Sequence, residues 1–380
     1  MSKTNWQTKK FGDCLEKITY TNKIQRKDFL KSGNFPIVSQ EKDLINGYWN
    51  KKKDLFKISI PLVIFGDHTQ ILKYIDFDFV LGADGVKILQ PKNFLDSKYF
   101  YYFLLNIDLK NLGYARHYRL LKEKNILFPE SLSEQYRIVK ILDKVFEEIA
   151  KAKENTEKNL QNAKDLFESY SKKIFDQIKV NRKEKTIGEV CNLMTGGTPS
   201  KSKREYFKDG KILWLVSGDI HQKEIYKCEG RITDEGMKDS NAKYLPVNSI
   251  LIALNGQGKT RGTVAMLKVK ATCNQSLVSI YPKDIEEILP EYIFRNLNSR
   301  YNEIRKITGD VGNERRGLNM ILIRKIIIPI TSISNQKSIV KKLDELAEKT
   351  KRLEEIYRQK LADLEELKKS ILKKAFEGNL

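Results

Sequence analysis

The sequence predicts an α+β protein. Two similar mixed α/β globules are separated by two long helices paired as an antiparallel coiled coil, in a pseudo-twofold internal repeat. Three observations predict it. The stretches 133–178 and 334–376 are charged, free of glycine and proline, and carry apolar residues in steps of three and four. The remaining sequence alternates short apolar runs with Gly, Pro and Asp turn signals. The two halves repeat at an offset of 201 residues, Gln135 meeting Gln336, Val139 meeting Val340 and Asp143 meeting Asp344.

The boundaries follow: globule one over 1–131, helix one over 132–182, globule two over 183–332, helix two over 333–380. In globule one, 61–65, 79–81 and 86–89 read as strands and 96–105 as a buried helix. In globule two, 212–216, 249–253, 263–267 and 276–280 read as strands and 290–298 as the matching helix. In the first long helix the predicted seam is Val139, Leu142, Phe146, Ile149, Leu160, Phe167, Tyr170 and Ile174. In the second it is Leu343, Leu346, Leu353, Tyr357, Leu364, Leu367 and Ile371. Ser133 and Ser334 are candidate N-caps. At 1.5 Å per residue each helix is roughly 65–70 Å long. Antiparallel pairing of the two brings the termini together. Pairing with a different protein would bury the same stripes.

Composition narrows the function classes. The 380 residues carry a formal net charge of +21, which favours a polyanionic partner. Residues 1–131 hold 22 basic and 14 acidic side chains, and 183–332 hold 25 and 17, so each globule carries +8. A lysine-rich proteome would give the same excess. No apolar run approaches the roughly 20 residues that span a bilayer. The N-terminal MSKTNWQTKK lacks the apolar core of a secretory signal. Cys14, Cys191, Cys228 and Cys273 have neither metal nor redox spacing, and His68, His117 and His221 are scattered. A metal-free protein of the reducing cytoplasm is expected.

Ala253-Leu254-Asn255-Gly256-Gln257-Gly258-Lys259-Thr260 satisfies a relaxed P-loop pattern. That loop works only if a helix follows, its N-terminus and the loop N–H groups holding phosphate. Arg261-Gly262-Thr263-Val264 favours a strand instead. A β-hairpin loop presenting Asn255, Gln257, Lys259, Thr260 and Arg261 is predicted. Asn, Gln and Arg pair with base edges and Lys takes phosphate. Methyltransferase, nuclease and hydrolase residue sets are not found, so a non-catalytic chain is expected. Further DNA-contact candidates are His68, Thr69 and Gln70 after a strand, and Arg116, His117 and Arg119 near the end of globule one. Globule two adds Thr198, Ser200, Lys201, Lys203 and Arg204 in a basic hydroxyl-bearing loop, and Arg315 and Arg316 near its end.

These residues resemble, along nearly the whole chain, the specificity (S) subunit of type I restriction–modification enzymes. The marks include Gly12-Asp13 and Gly188-Glu189, Gly196-Gly197-Thr198-Pro199-Ser200, Trp214 to Asp219, and Asn248 to Ala253. Cys273-Asn274-Gln275, Ile64 to Thr69 and Gly82-Ala83-Asp84-Gly85 also fit, as do Gln135 and Gln336 with the Ile-Val pairs behind them. The first globule lacks the Gly-Gly-Thr-Pro loop, so its contacts are not carried over from the second. The resemblance implies two target recognition domains, each reading one half of a bipartite DNA sequence. It implies helices that set the gap and dock two methyltransferase (M) subunits. It further implies S-adenosylmethionine in M, and ATP and Mg in restriction (R) subunits, with no cofactor in this chain, which would sit in the cytoplasm at the nucleoid. A stand-alone bipartite DNA-binding scaffold, or the specificity chain of a fused restriction–methylation enzyme, are the alternatives; co-purification of a partner separates them.

Overall fold

Continuous apolar runs bounded by turn residues form the central strands, and the charged heptad stretches form single long helices. The computed structural model describes residues 6–82, 85–179, 184–256, 258–307 and 317–378. The chain divides into two compact units. One joins residues up to 158 with those from 358 onward; the other is 159–357.

In the first unit the strands are β1 (Trp6–Lys10), β2 (Lys23–Ile24), β3 (Phe35–Val38), β4 (Gly47–Trp49), β5 (Leu55–Phe56), β6 (Leu62–Gly66), β7 (Leu72–Ile75), β8 (Phe79–Gly82) and β9 (Val86–Leu89). Helices α1 (Ser97–Asn106) and α2 (Tyr118–Lys122), strand β10 (Asn125–Pro129) and the start of α3 (Leu132–Lys179) follow. β1 pairs with β10, and β6 lies between β7 and β9. β8 pairs with β2, β3 and β5, and β4 with β3. All five residues of β6 are buried, as an uninterrupted Leu-Val-Ile-Phe run requires.

The second unit contains β11 (Glu184–Thr186), α4 (Ile187–Val190), β12 (Cys191–Thr195), β13 (Ile212–Leu215), β14 (Glu224–Ile225), β15 (Arg231–Ile232), α5 (Asp234–Lys238), β16 (Ile250–Ala253), β17 (Val264–Leu267), β18 (Thr272–Cys273) and β19 (Leu277–Pro282). Next come α6 (Pro290–Ser299), α7 (Tyr301–Lys306), α8 (Met320–Arg324), β20 (Ile327–Pro329) and α9 (Ile333–Phe376), which runs on into the first unit. The plan repeats. β11 pairs with β20 as β1 does with β10, and β16 lies between β17 and β19 as β6 does between β7 and β9.

Ser131 and Ser332 precede the long helices, and their carbonyls accept the first intrahelical bonds from Gln135 (3.2 Å) and Gln336 (2.9 Å). The caps therefore stand two residues before the expected Ser133 and Ser334. Inside the first unit α3 and α9 run antiparallel: Lys368 Nζ lies 5.2 Å from the Phe146 ring, and Lys153 Nζ 2.7 Å from Glu365. Inside the second, Ile174, Phe175 and Ile178 of α3 share a core with Ile339, Val340 and Leu343 of α9. Val139, Leu142, Ile149 and Leu343 are buried; Phe146, Leu160, Phe167, Ile174, Leu346, Tyr357, Leu364 and Ile371 are half-buried.

Three seam expectations are corrected. Tyr170, Leu353 and Leu367 are exposed (42%, 37% and 47%). After Phe167 the stripe advances four residues to the fully buried Ser171, since 3.6 residues per turn drifts against a strict heptad and moves Tyr170 outward. In α9 the half-buried positions beside the two leucines are Glu354 and Lys368. Lys368 lays its apolar stem along Phe146 and keeps its ammonium near water.

The repeat reaches single side chains. Gln135 accepts from the Asp96 N–H (2.8 Å) and donates to the Phe94 and Pro129 carbonyls (3.0 and 2.9 Å). Gln336 accepts from the Leu289 N–H (2.9 Å) and donates to the Glu287 and Thr331 carbonyls (both 2.8 Å). Phe376, near the end of α9, packs edge-on against Tyr99; Phe175, near the end of α3, packs edge-on against Tyr292. Lys98 and Tyr102 reach Asp143, and Arg295 reaches Asp344.

Candidate nucleic-acid interface

Each central hairpin projects one loop. In globule one it is the turn at 67–70 between β6 and β7, which pair antiparallel. Gln70 closes it in the left-handed region (φ 58°), its N–H donating to the Gly66 carbonyl at 2.8 Å. The His68 N–H donates to Gln40 Oε1 (3.1 Å) and the Thr69 hydroxyl to the Gln40 carbonyl (2.8 Å). Gln40 carried no sequence signal. The segment entering α2 covers the turn: the His117 N–H donates to the Asp67 carbonyl (2.8 Å) and the Tyr118 N–H to the Asp67 carboxylate (2.8 Å).

In globule two the corresponding loop is 254–263, between antiparallel β16 and β17. A strand, not a helix, follows Lys259, so the P-loop geometry is absent. Gly256, Gly258 and Gly262 take φ of 131°, 62° and 81°, conformations that side chains disfavour, so the loop is built on glycine. Asn255 and Lys259 are exposed and Arg261 is half-buried. The Thr260 hydroxyl lies 3.0 Å from His221 Nε2, a neighbour the sequence did not suggest. Arg305 donates to the Gly258 carbonyl. The segment entering α8 covers this loop in the same manner, the Leu318 N–H donating to the Leu254 carbonyl at 3.0 Å. Gln257, Arg315 and Arg316 lie outside the described residues, as do Ala83 and Asp84.

His117 is corrected from contact to core. It is 0% exposed. Its Nε2 accepts from the Leu112 N–H (3.1 Å), so Nδ1 carries the proton and donates to the Asp67 carbonyl (3.1 Å). It pins the segment 112–117 onto the turn, while Arg116 and Arg119 stay exposed.

The Gly196-Gly197 loop is shaped by packing. A Cβ on Gly196 would fall 1.7 Å from the Cys273 carbonyl oxygen, and the Trp214 indole N–H donates to the Gly197 carbonyl at 2.9 Å. Thr198 donates to Gln275 Oε1 (2.5 Å) and Ser200 lies 2.8 Å from the Ser202 hydroxyl. Lys203 donates to the Tyr206 hydroxyl (2.6 Å), which itself donates to Asp239. Lys201 and Arg204 are exposed. Among the described residues no His/Cys/Asp/Glu group has metal-binding geometry, and no helix is long and apolar enough to cross a membrane. Burial pushes the Cys14 thiol up to about 11 and those of Cys191 and Cys273 to about 12, which keeps them protonated.

Behind the globule-one turn, Lys73 is 4% exposed and donates to the Asp43 carbonyl and to Asn46 Oδ1 (3.0 Å), closing the loop that carries Gln40. Burial lowers its ammonium to about 8, against the opposing pull of Glu41 and Asp43. An unfolded lysine titrates near about 10.4. Between those values the unfolded chain holds the extra proton, so the Lys73 contribution to stability rises with pH from about 8 to about 10.4 and is flat below, against the fall that the buried thiols impose in the upper part of that range. Lys73→Met is expected to remove that rise. Urea midpoints of wild type and variant across the window check it; parallel curves would refute it.

The chain matches the family model described as "Type I restriction modification DNA specificity domain" over residues 3–159 and 179–365. It is 29% identical over 335 residues to the Escherichia coli type I restriction enzyme EcoR124I/EcoR124II specificity subunit, covering 84% of this chain and 81% of that one. The HindI specificity subunit of Haemophilus influenzae is 28% identical over 172 residues, 44% of this chain and 35% of that protein. In fold the chain resembles one solved in work on complex assembly and conformational transition of a type I R-M system (TM-score 0.75, 16% identity, 99% of both chains). It also resembles the HsdS subunit from Thermoanaerobacter tengcongensis (TM-score 0.56, 16% identity, 99% and 98% covered).

Proposed function

The chain belongs to the type I restriction–modification DNA specificity family, and from that premise we propose that it selects the DNA sequence on which such an enzyme acts. Residues 1–131 and 183–332 are the two readers, each taking one half of a split target. The observation that carries this is the repeated loop: the same hairpin, covered by a pre-helix segment, carries polar side chains in both globules, with Arg116 exposed in the segment over the first loop and Lys259 and Arg261 within the second. On this reading Thr69, Gln70, Arg116 and Arg119 face one half-site. Asn255, Gln257, Lys259, Thr260, Arg261, Lys201, Arg204, Arg315 and Arg316 face the other, with base edges taken by Asn, Gln and Arg and phosphates by Lys. Helices α3 and α9 set the gap and give M subunits their docking surface. Methyl transfer from S-adenosylmethionine and ATP-driven cutting belong to M and R partners, and this chain supplies no catalytic group.

Long-read mapping of methylated adenines in the host, with and without the gene, tests the reading. A split motif with a fixed gap that vanishes on deletion is expected; a methylome unchanged by deletion in a host whose system is active refutes it.

The spacer is testable as well. Removing one heptad from both long helices shortens each by roughly 10 Å, about three base pairs of B-DNA. The methylated motif is expected to lose about three base pairs of gap, or methylation to be abolished. An unaltered gap would remove the helices from that role.

A further inference from the structure

The globule-one turn has a feature that its charges do not explain. Tyr114 is 92% exposed, the most exposed large hydrophobic side chain among the described residues. It is not a stray ring in water. It lies flat against His68, with ring centroids 4.8 Å apart and planes within 10°. His68 is fixed from behind, since Gln40 holds both its N–H and the adjoining Thr69 hydroxyl. His68 Nδ1 is buried and has no hydrogen-bond partner. A histidine placed for its polar atoms would have them satisfied; here the flat ring is what is used. Arg116 stands exposed two residues beyond Tyr114. A rigidly backed aromatic face beside an exposed cation is the surface on which nucleobases stack in proteins that hold unpaired or unstacked bases.

We propose that His68 and Tyr114 form a stacking platform for one nucleobase of the half-site read by globule one, with Tyr114 as the face the base meets. The platform rests on the reading of that globule as a DNA reader. A base reaches it by partial unstacking, as when an apolar wedge opens a base step. Among the described residues globule two has no counterpart. Its loop is glycine-rich, and its nearby histidine is hydrogen-bonded to Thr260 rather than stacked.

Stacking and phosphate contact respond differently to salt, which makes the proposal testable. The probe is a labelled duplex carrying the mapped split motif, bound by the full chain with its methyltransferase partners at several salt concentrations. Tyr114→Ala is expected to weaken binding about 5- to 100-fold with the salt slope unchanged, and Tyr114→Phe to restore it. Arg116→Ala should instead lower the slope by about one. Being almost wholly exposed, Tyr114 can be replaced without opening the core. Unchanged affinity in Tyr114→Ala overturns the platform. So does a loss shared by Tyr114→Phe, which would implicate the hydroxyl, or a loss with a reduced salt slope. Lost partner binding with DNA affinity intact would make Tyr114 a protein contact, and also overturns it. If the wild-type complex does not prefer the motif duplex, the DNA-reader assignment itself fails, a result distinct from failure of the platform.

Discussion

Phe376→Ala is expected to destabilise the first unit by about 3–5 kcal/mol, and Phe175→Ala the second by a similar amount. Both rings are nearly inaccessible, at 4% and 1% exposure. Phe376 fills the space between Tyr99 and Phe103, with edge-on contacts at 5.3 and 5.1 Å. Phe175 meets Tyr292 at 5.5 Å. Truncation to alanine forfeits the transfer energy of a large ring and leaves a cavity that rigid aromatic neighbours cannot close. Phe→Leu at either site keeps most of the volume and should cost less. Denaturant midpoints provide the measurement. A loss below about 1 kcal/mol would mean that the helix end is not part of the folded core.

The second large effect concerns the repeated glutamines. Gln135→Leu or Gln336→Leu is expected to cost about 3 kcal/mol or more. Each glutamine is 0% exposed and satisfies three backbone groups: one N–H and two carbonyls. Leucine has similar bulk but supplies no partner, so those groups are stranded away from water. An unsatisfied buried polar group costs about 1–3 kcal/mol. Gln→Glu at the same site keeps the acceptor but loses both donors, and should also destabilise. Amide hydrogen exchange at Asp96 or Leu289 reports the broken bond directly. Protection equal to wild type in the leucine variants would refute the account.

Much of the fold was legible because it is duplicated. Gln135 with Gln336 and Asp143 with Asp344 occupy equivalent places in the two halves, and one sequence offset exposed both pairs; the same offset of 201 relates Phe175 to Phe376. Long heptad stripes identified α3 and α9, and apolar runs identified β6, β9, β16 and β19. Short strands such as β2, β5, β14 and β15 are two residues each. They are too brief for periodicity and exist only through pairing with strands distant in the sequence. The site was less legible for a related reason. His117 sits in a basic, aromatic run that reads as surface, yet the turn at Asp67 buries it from 50 residues away. Tyr170 keeps the three-and-four spacing but is carried outward by the drift of 3.6 residues per turn against a strict heptad, which buries Ser171 instead. Gln40, Lys73, Tyr114 and His221 acquire meaning only from neighbours that the chain brings in from elsewhere.

The discontinuity of the first unit has a consequence for biosynthesis. Its core includes Leu372, Ala375 and Phe376 alongside Phe11, Tyr99 and Leu142. The second unit is one unbroken stretch, 159–357. On the ribosome the amino-terminal globule emerges first but waits for its last core residues until more than half the chain has followed, on the order of tens of seconds at ordinary elongation rates. Through that interval the faces of Tyr99 and Phe103 that Phe376 will cover stand open to water. The later-made unit can close first, so order of synthesis and order of completion are reversed, and a nascent chain of this protein offers chaperones an apolar surface that the finished molecule lacks.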